Sequence, residues 1–282
     1  MSSFLRILQN YKMLRPRIIP CLLIYKGALV KTQGFKDPKY VGDPINAVRI
    51  FNEKEADELI VLDIGVTVDS VQPNFNLIEK LAAECRMPLC YGGGITSVEQ
   101  AVQLVDMGVE KVAVSAAAIL KPSFLREIVA AVGSQSVVAV IDLYKKNDSF
   151  LKSYELCSHN AKKFYNYNPF TLMQSFQEAG VGEIVINSVD RDGLMQGYDL
   201  DLARQVKSKV KIPLTFLGGA GSHEHLKDLI SQVGIIGVAA GSLFVFKGSY
   251  RAVLINYPTP EQKIEICQEA LKTNNIKGDF FA

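Results

Sequence analysis

The chain has 282 residues, with 31 Lys+Arg against 29 Asp+Glu and a formal net charge of +2. Hydrophobic residues at 48% and charged residues at 21% exclude a disordered chain, and a near-neutral balance without a Lys/Arg run argues against nucleic acid or an anionic membrane surface as the main partner. The longest apolar stretch, Val233 to Phe246, spans 14 residues, short of the roughly 18–20 that cross a bilayer.

Residues 1–12 read as an N-terminal extension. Met1 to Met13 is interrupted by Arg6, Gln9, Asn10 and Lys12, unlike a secretory leader. Apolar or β-branched runs then predict strands at Arg17–Leu23, Glu58–Asp63, Pro88–Tyr91, Lys111–Val114, Val137–Asp142, Glu183–Asn187, Pro213–Leu217 and Gly234–Ala240. Helical patterns lie between them. Asn74 to Cys85 places Leu77, Ile78, Leu81, Ala82 and Cys85 on one face. Ser97 with Gln100 forms a capping box that opens a helix stopping at Gly108, and Phe170 to Ala179 ends likewise at Gly180. A last helix is predicted over Pro260–Thr273, with Ile264 and Leu271 packing inward. Near-continuous apolar strands joined by helices imply a parallel sheet covered by helices. Eight such units in about 250 residues predict a (β/α)8 TIM barrel over residues 13–282. The competing open doubly wound sheet lacks a GxGxxG after the first strand.

The five cysteines form no CxxC pair, and with three histidines there is no zinc spacing. No metal or other cofactor is therefore expected, and the cytoplasm is the default location. An internal repeat is more informative. Gly92-Gly93-Gly94 is followed 23 positions after Gly92 by Ser115, and Gly218-Gly219-Ala220-Gly221 is followed 24 positions after Gly218 by Ser242. Glycines let backbone N–H groups approach an anion closely. Two such turns at matched half-barrel positions predict binding of a ligand with a phosphate at each end, where plain tight turns are the alternative.

From Met13 to about Phe246 the chain resembles HisF, the cyclase subunit of imidazole glycerol phosphate synthase. RIIPCL, GDP at Gly42–Pro44, DELIVLDI at Asp57–Ile64, YGGGI, INSVDRDG at Ile186–Gly193 and GGAG match in order. The resemblance implies a barrel that receives ammonia from a HisH-type glutaminase docked on its N-terminal face and passes it through the core. It also implies a gate of four charged residues, here Arg17, Glu58, Lys111 and Glu183. Each stands at or just before the start of a predicted strand, so all four should converge on one end. Glu110 stands where the family has an acidic residue contacting the glutaminase.

At the chemistry end the chain departs from the family. Its general acid/base pair is an aspartate at the end of strand one and another at the end of strand five. Asp142 fills the second position, but the first is Leu23, and CLD has become CLL. Leucine can neither accept nor donate a proton, and losing a positioned acid or base costs roughly 10²–10⁴-fold in rate. Leu22 and Ile24 are apolar as well, and Cys21 is expected to face away. Ser115 and Ala116 stand where the family has Asn and Thr, Leu217 replaces a Ser before GGAG, and Leu194 replaces a Thr. Backbone donors at Gly93, Gly94, Gly218, Gly219, Gly241 and Ser242 remain for phosphate, and Lys31, Asp63, Asn187, Ser188, Asp190 and Asp192 keep their family types on the active face.

The segment 143–169 is long, polar and aromatic. It is either a lid or docking surface carrying Lys162, Lys163, Phe164, Tyr165 and Tyr167, or a short hairpin with a solvated basic turn. His159 within it is a candidate ligand-binding residue, while His223 and His225 begin the helix after GGAG. Gate kept, CLD lost and this loop enlarged resemble the HisF-type branch of bacterial surface-polysaccharide pathways. Those paralogues partner a HisH-type glutaminase and a separate sugar amidotransferase. The implied function is an ammonia-channelling subunit for an acetamidino sugar. The alternatives are a working histidine-pathway cyclase and a non-catalytic scaffold that activates the glutaminase. An isomerase of the sister barrel family would also need the missing aspartate.

Overall fold

The computed structural model describes residues 15–146, 153–248 and 250–273. The extension 1–12 lies outside them. Strand β1 (Arg17–Tyr25) turns back through an antiparallel hairpin, β2 (Ala28–Gln33) and β3 (Lys36–Gly42), before helix α1 (Pro44–Glu53). Regular alternation follows: β4 (Leu59–Asp63), α2 (Phe75–Glu84), β5 (Leu89–Gly92), α3 (Val98–Asp106), β6 (Lys111–Val114), then α4 (Ala116–Leu120) and α5 (Ser123–Val132). Strand β7 (Val137–Lys146) pairs with β8 (Ser153–Ser158), which pairs with β9 (Lys163–Tyr165), both antiparallel. Next come α6 (Pro169–Glu178), β10 (Glu183–Ser188), α7 (Leu200–Lys209), β11 (Leu214–Leu217), α8 (His223–Val233), β12 (Gly237–Ala240), α9 (Ser242–Val245) and α10 (Pro260–Thr273).

The parallel order β10-β11-β12-β1-β4-β5-β6-β7 closes on itself through β7–β10, in register from Val138–Glu183 to Leu143–Ser188. The result is the eight-stranded (β/α)8 barrel, and each of the eight strand segments expected from sequence overlaps a barrel strand. The capping box is present: Ser97 Oγ accepts from Gln100 N, and Gln100 Oε1 accepts from Ser97 N. Helix α2 lies between Asn74 and Cys85 as its caps, with Ile78 and Leu81 buried.

Strand alternation divides the core in two. Ile18, Leu22 and Ile24 of β1 point outward and pack with Phe51, Tyr91 and Phe176 beneath the helices. Ile19, Cys21 and Leu23 point inward and join Ile60, Cys90 and Val138 in the bore.

At the foot of the barrel the last helix is tied to the first strand. Lys263 is 4% exposed, and its Nζ donates to Glu55 O at 2.7 Å and Asp57 Oδ1 at 2.8 Å. Asp57 Oδ2 accepts from Ile18 N at 3.0 Å, and Tyr257 Oη donates to Ile18 O at 2.7 Å. The helix spans the predicted Pro260–Thr273, but its buried face is Lys263, Ile266, Cys267 and Ala270. Ile264, expected to pack inward, is exposed because the i, i+3, i+4, i+7 stripe from Lys263 passes it by, while Leu271 packs at the edge of the core. Lys263→Met keeps the stem but leaves Asp57 short of a buried cation. It should lower unfolding free energy by about 3 kcal/mol, read as a reduced denaturant midpoint at unchanged slope.

Candidate functional site

The N-terminal mouth of the bore holds a closed ring of charge. Arg17 binds Glu58 through Nη1 and Glu183 Oε1 through Nη2 at 2.6 Å. Lys111 Nζ lies 2.8 Å from Glu58 Oε1 and 2.9 Å from Glu183 Oε2. Each carboxylate therefore meets both cations, and two positive and two negative charges cancel. Thr215 adds a hydrogen bond from Oγ1 to Glu183 Oε1. Burial works to raise the Glu183 carboxyl, but Arg17 and Lys111 outweigh it and hold it below the usual carboxylate range. The four side chains predicted to converge thus form one network. Glu110 lies exposed at the same end, where its Oε2 accepts from Leu89 N at 2.6 Å.

Above the ring the bore is lined by Ile19, Ile60, Cys90, Ala113, Val138 and Val185. It opens at the C-terminal mouth into a cavity where both glycine turns meet. Gly93, Gly94 and Ser115 line one side, Gly218, Gly219, Gly241 and Ser242 the other. Gly93 has φ +139°, and a Cβ there would sit 2.6 Å from Asp63 O. Gly219 has φ +103°, and a Cβ would collide with Gly197 O. Only glycine allows backbone to approach this closely.

Four ionisable side chains expected on this face line the same cavity. Asp142 Oδ1 accepts from Asn187 Nδ2 at 3.0 Å. Burial pushes the Asp142 carboxyl up to about 7, helped by the field of Asp192 and opposed by the Asn187 hydrogen bond. Lys31 Nζ donates to Cys21 O at 2.7 Å, and burial lowers its ammonium. Asp192 Oδ2 accepts from Thr32 Oγ1 at 2.7 Å and Phe35 N at 3.2 Å, latching the β2–β3 hairpin over the mouth. Asp63 Oδ1 accepts from Gly65 N at 3.1 Å, and burial raises its carboxyl. Among the described residues, Ser115 Oγ and Asn187 Oδ1 are buried polar atoms without a hydrogen-bond partner.

Leu23 occupies the inner face of β1 at the top of the bore, 8% exposed. Cys21 shares that face rather than turning away, because residues two apart on a strand point the same way. Its thiol is pushed up to about 12 by burial, so it stays protonated and supplies no base. Ser188 and Asp190 do not line the cavity. Ser188 follows inward-facing Asn187 and contributes its carbonyl behind Gly218, while Asp190 Oδ1 accepts from Lys145 N at 3.2 Å.

The segment 143–169 contains the continuation of β7 and the β8–β9 hairpin, with residues 147–152 outside the described set. Phe164 and Tyr167 are exposed, and Tyr144 meets Phe164 edge-on with centroids 6.0 Å apart. Lys145 Nζ and Tyr154 Oη both donate to Asp199 Oδ2, at 2.9 and 3.1 Å, fastening the hairpin to the cap of α7. Ser158, His159 and Asn160 line the cavity. His159 was legible as a candidate, but nothing in the sequence singled out Thr32, Ser158 or Asn160. His223 begins α8, and His225 Nδ1 accepts from Gly221 N at 3.1 Å.

No helix among the described residues is long and apolar enough to cross a membrane. A family model described as "Histidine biosynthesis protein" matches residues 17–251. A Leptospira borgpetersenii protein provisionally named imidazole glycerol phosphate synthase subunit HisF is 54% identical over 89% of this chain and 98% of its own. A Pseudomonas aeruginosa protein, provisionally named as subunit hisF2 of that synthase, is 50% identical over 87% of this chain and 97% of its own. The HisF subunit of Chlorobium phaeobacteroides is 36% identical over 83% of this chain and 92% of its own. The chain belongs to the histidine biosynthesis protein family and is a HisF-like (β/α)8 barrel.

Proposed function

We propose that this barrel is the ammonia-channelling subunit of a glutamine-dependent amidotransferase, acting on a sugar of surface-polysaccharide biosynthesis, with the cyclase chemistry of its family lost. A HisH-type glutaminase would dock on the N-terminal face around Glu110, and a separate sugar amidotransferase would take the ammonia. One observation carries the reading: the charge ring is complete at one end of the bore while Leu23 stands at the other, across from Asp142. An apolar bore suits neutral ammonia. The ring, neutral overall, can open by exchanging one ion pair for another without leaving a charge unmatched.

At the exit Asp142 remains as a proton acceptor poised near neutrality for ammonium arriving there. The glycine turns would hold a phosphorylated small molecule, with Gly93, Gly94 and Ser115 at one end and Gly218, Gly219, Gly241 and Ser242 at the other. A second reading, the histidine-pathway cyclase itself, is favoured by the survival of Asp142, Asn187 and both turns. A third, a scaffold that only activates the glutaminase, makes the bore irrelevant.

Two measurements separate these readings, and a third tests the burial of Asp142. Purified protein given the cyclase substrate and saturating ammonium salt, which bypasses any glutaminase, should show no turnover, and Leu23→Asp should gain it. Strong wild-type turnover would make the chain a cyclase that tolerates leucine. In the assembled complex Lys111→Ala should lower product formed per glutamine hydrolysed several-fold, because Glu58 and Glu183 then share Arg17 alone. Unchanged coupling would remove the gate role, and product formation that survives blocking of the bore would favour the scaffold. The third measurement concerns Asp142. Its folded pKa of about 7 exceeds the unfolded value near ~3.9, so the folded state binds more protons between the two and loses stability as pH rises. Asp142→Asn should therefore match wild type near pH 4 and exceed it by a few kcal/mol above about pH 7, read by denaturant titration at both ends.

A further inference from the structure

The half-barrel repeat sets one hairpin after the first barrel strand and one after the fifth. Val30 pairs with Leu23 and is followed by Lys31. Cys157 pairs with Asp142 and is followed by Ser158. Lys31 and Ser158 therefore occupy equivalent positions, one residue past the partners of Leu23 and Asp142. Lys31 serves the second glycine turn, since its Nζ fills the space that a Cβ on Gly241 would need.

The other hairpin reaches the first turn. Asn160 Nδ2 donates to Ile64 O at 2.9 Å. On either side of Ile64, Asp63 and Val66 press against Gly93 and Gly94, leaving no room for a Cβ on either glycine. The turn at 158–161 is thus pinned beside Gly93 and Gly94. His159, Asn160 and Ala161 hold φ of 54°, 55° and 57° in succession. This left-handed run is strained for residues other than glycine and persists only where surrounding contacts fix it.

Serine at the lysine-equivalent position brings no charge, but its hydroxyl holds the neighbouring imidazole of His159. Ser158 Oγ lies 2.7 Å from His159 Nδ1 and 2.9 Å from Tyr165 Oη, and Ser158 is 1% exposed. With Nδ1 so engaged, Nε2 is the ring nitrogen left for a ligand. The same cavity contains Ser115 Oγ, which lacks a partner. We propose that the strand-five hairpin closes the first glycine turn into an anion half-site, in which His159 Nε2 donates to a phosphate-type group seated at Gly93, Gly94 and Ser115. This rests on the anion-binding reading of the two turns and adds the side chain that reads the ligand at one of them.

The relay works in both protonation states. With neutral imidazole, Tyr165 donates to Ser158 and Ser158 to Nδ1, leaving the proton on Nε2. With imidazolium, Nδ1 donates to Ser158 and Ser158 to Tyr165, and Nε2 still points a proton at the ligand. Without ligand, burial and Lys163 on β9 lower the imidazole from its ordinary value, so a dianion opposite it would draw in a proton. Asp63 at the end of β4, Asp142 on β7, Asp192 and Lys31 line the same cavity, and their titration would also make anion affinity pH-dependent. The test must therefore read His159 itself.

The chain has three histidines, so imaging their ring nitrogens by long-range ¹H–¹⁵N spectra is tractable, with His159 identified by its loss in His159→Gln. Sulfate is the probe because it stays a dianion across the titration. It should raise the His159 midpoint by about one unit. Calorimetric sulfate affinity should fall about tenfold in His159→Gln at a pH below that midpoint, the equivalent of that one unit, and converge with wild type at high pH. Sulfate binding with an unmoved His159 midpoint would overturn the His159 assignment and leave the anion-binding turns standing. No sulfate binding at all would overturn both.

Discussion

Every second side chain of a closed parallel barrel has no destination but the bore, and this constraint governs both ends of the molecule. On β1 it lines up Arg17, Ile19, Cys21 and Leu23 from one mouth to the other. A charge placed on that line cannot turn to solvent as it could on an exposed strand face. It must be matched within the bore, or it must shift its protonation. The N-terminal mouth takes the first course and the C-terminal mouth the second.

At the N-terminal mouth two carboxylates and two cations alternate, so each burial penalty meets a partner from both sides. At the other mouth Asp142 has only an amide donor, and its proton stays bound to near neutrality. The remaining carboxylates there lean on donors outside the bore, Asp63 on Gly65 N and Asp192 on Thr32 and Phe35, yet burial still raises both. An acidic side chain in place of Leu23 would add a further carboxylate to the same mouth, and like charge would push Asp142 higher still. One leucine therefore changes both the number of proton-handling groups and the working range of the one that stays.

What could be read from the sequence follows the same division. The barrel strands are short apolar or β-branched runs, four of them with a charged residue at or just before the start, so the fold and the convergence of Arg17, Glu58, Lys111 and Glu183 were legible. The β2–β3 hairpin was not, because β3 is polar and mostly exposed and carries no apolar alternation. The extension of β7 past Asp142 was hidden for a similar reason, its mixed Tyr144, Lys145 and Lys146 reading as loop. The latch of Asp192 on Thr32 joins residues 160 apart, and no local pattern announces it. Cys21 and Ile264 were misplaced where periodicity alone, applied strictly, would have oriented both.

Apart from Ile264, these misses fall toward the C-terminal mouth, and that has a physical basis. The ring and bore are made by barrel strands whose alternation is fixed by closure, so their residues are constrained one strand at a time. The C-terminal mouth is covered by two hairpins held across it by a few side-chain hydrogen bonds, from Asn160 to Ile64 O, from Lys145 and Tyr154 to Asp199, and from Thr32 and Phe35 to Asp192. Residues there can change without disturbing the barrel. At position 23 the fold even favours the change: a leucine joining the apolar cluster gains roughly 1.5–3 kcal/mol from burial, whereas a carboxylate there must be desolvated in the same mouth as Asp142. A barrel under no demand for acid–base chemistry at strand one would be stabilised by this substitution. The charge ring at the other mouth, made of four mutually dependent charges, admits no comparably favourable single replacement.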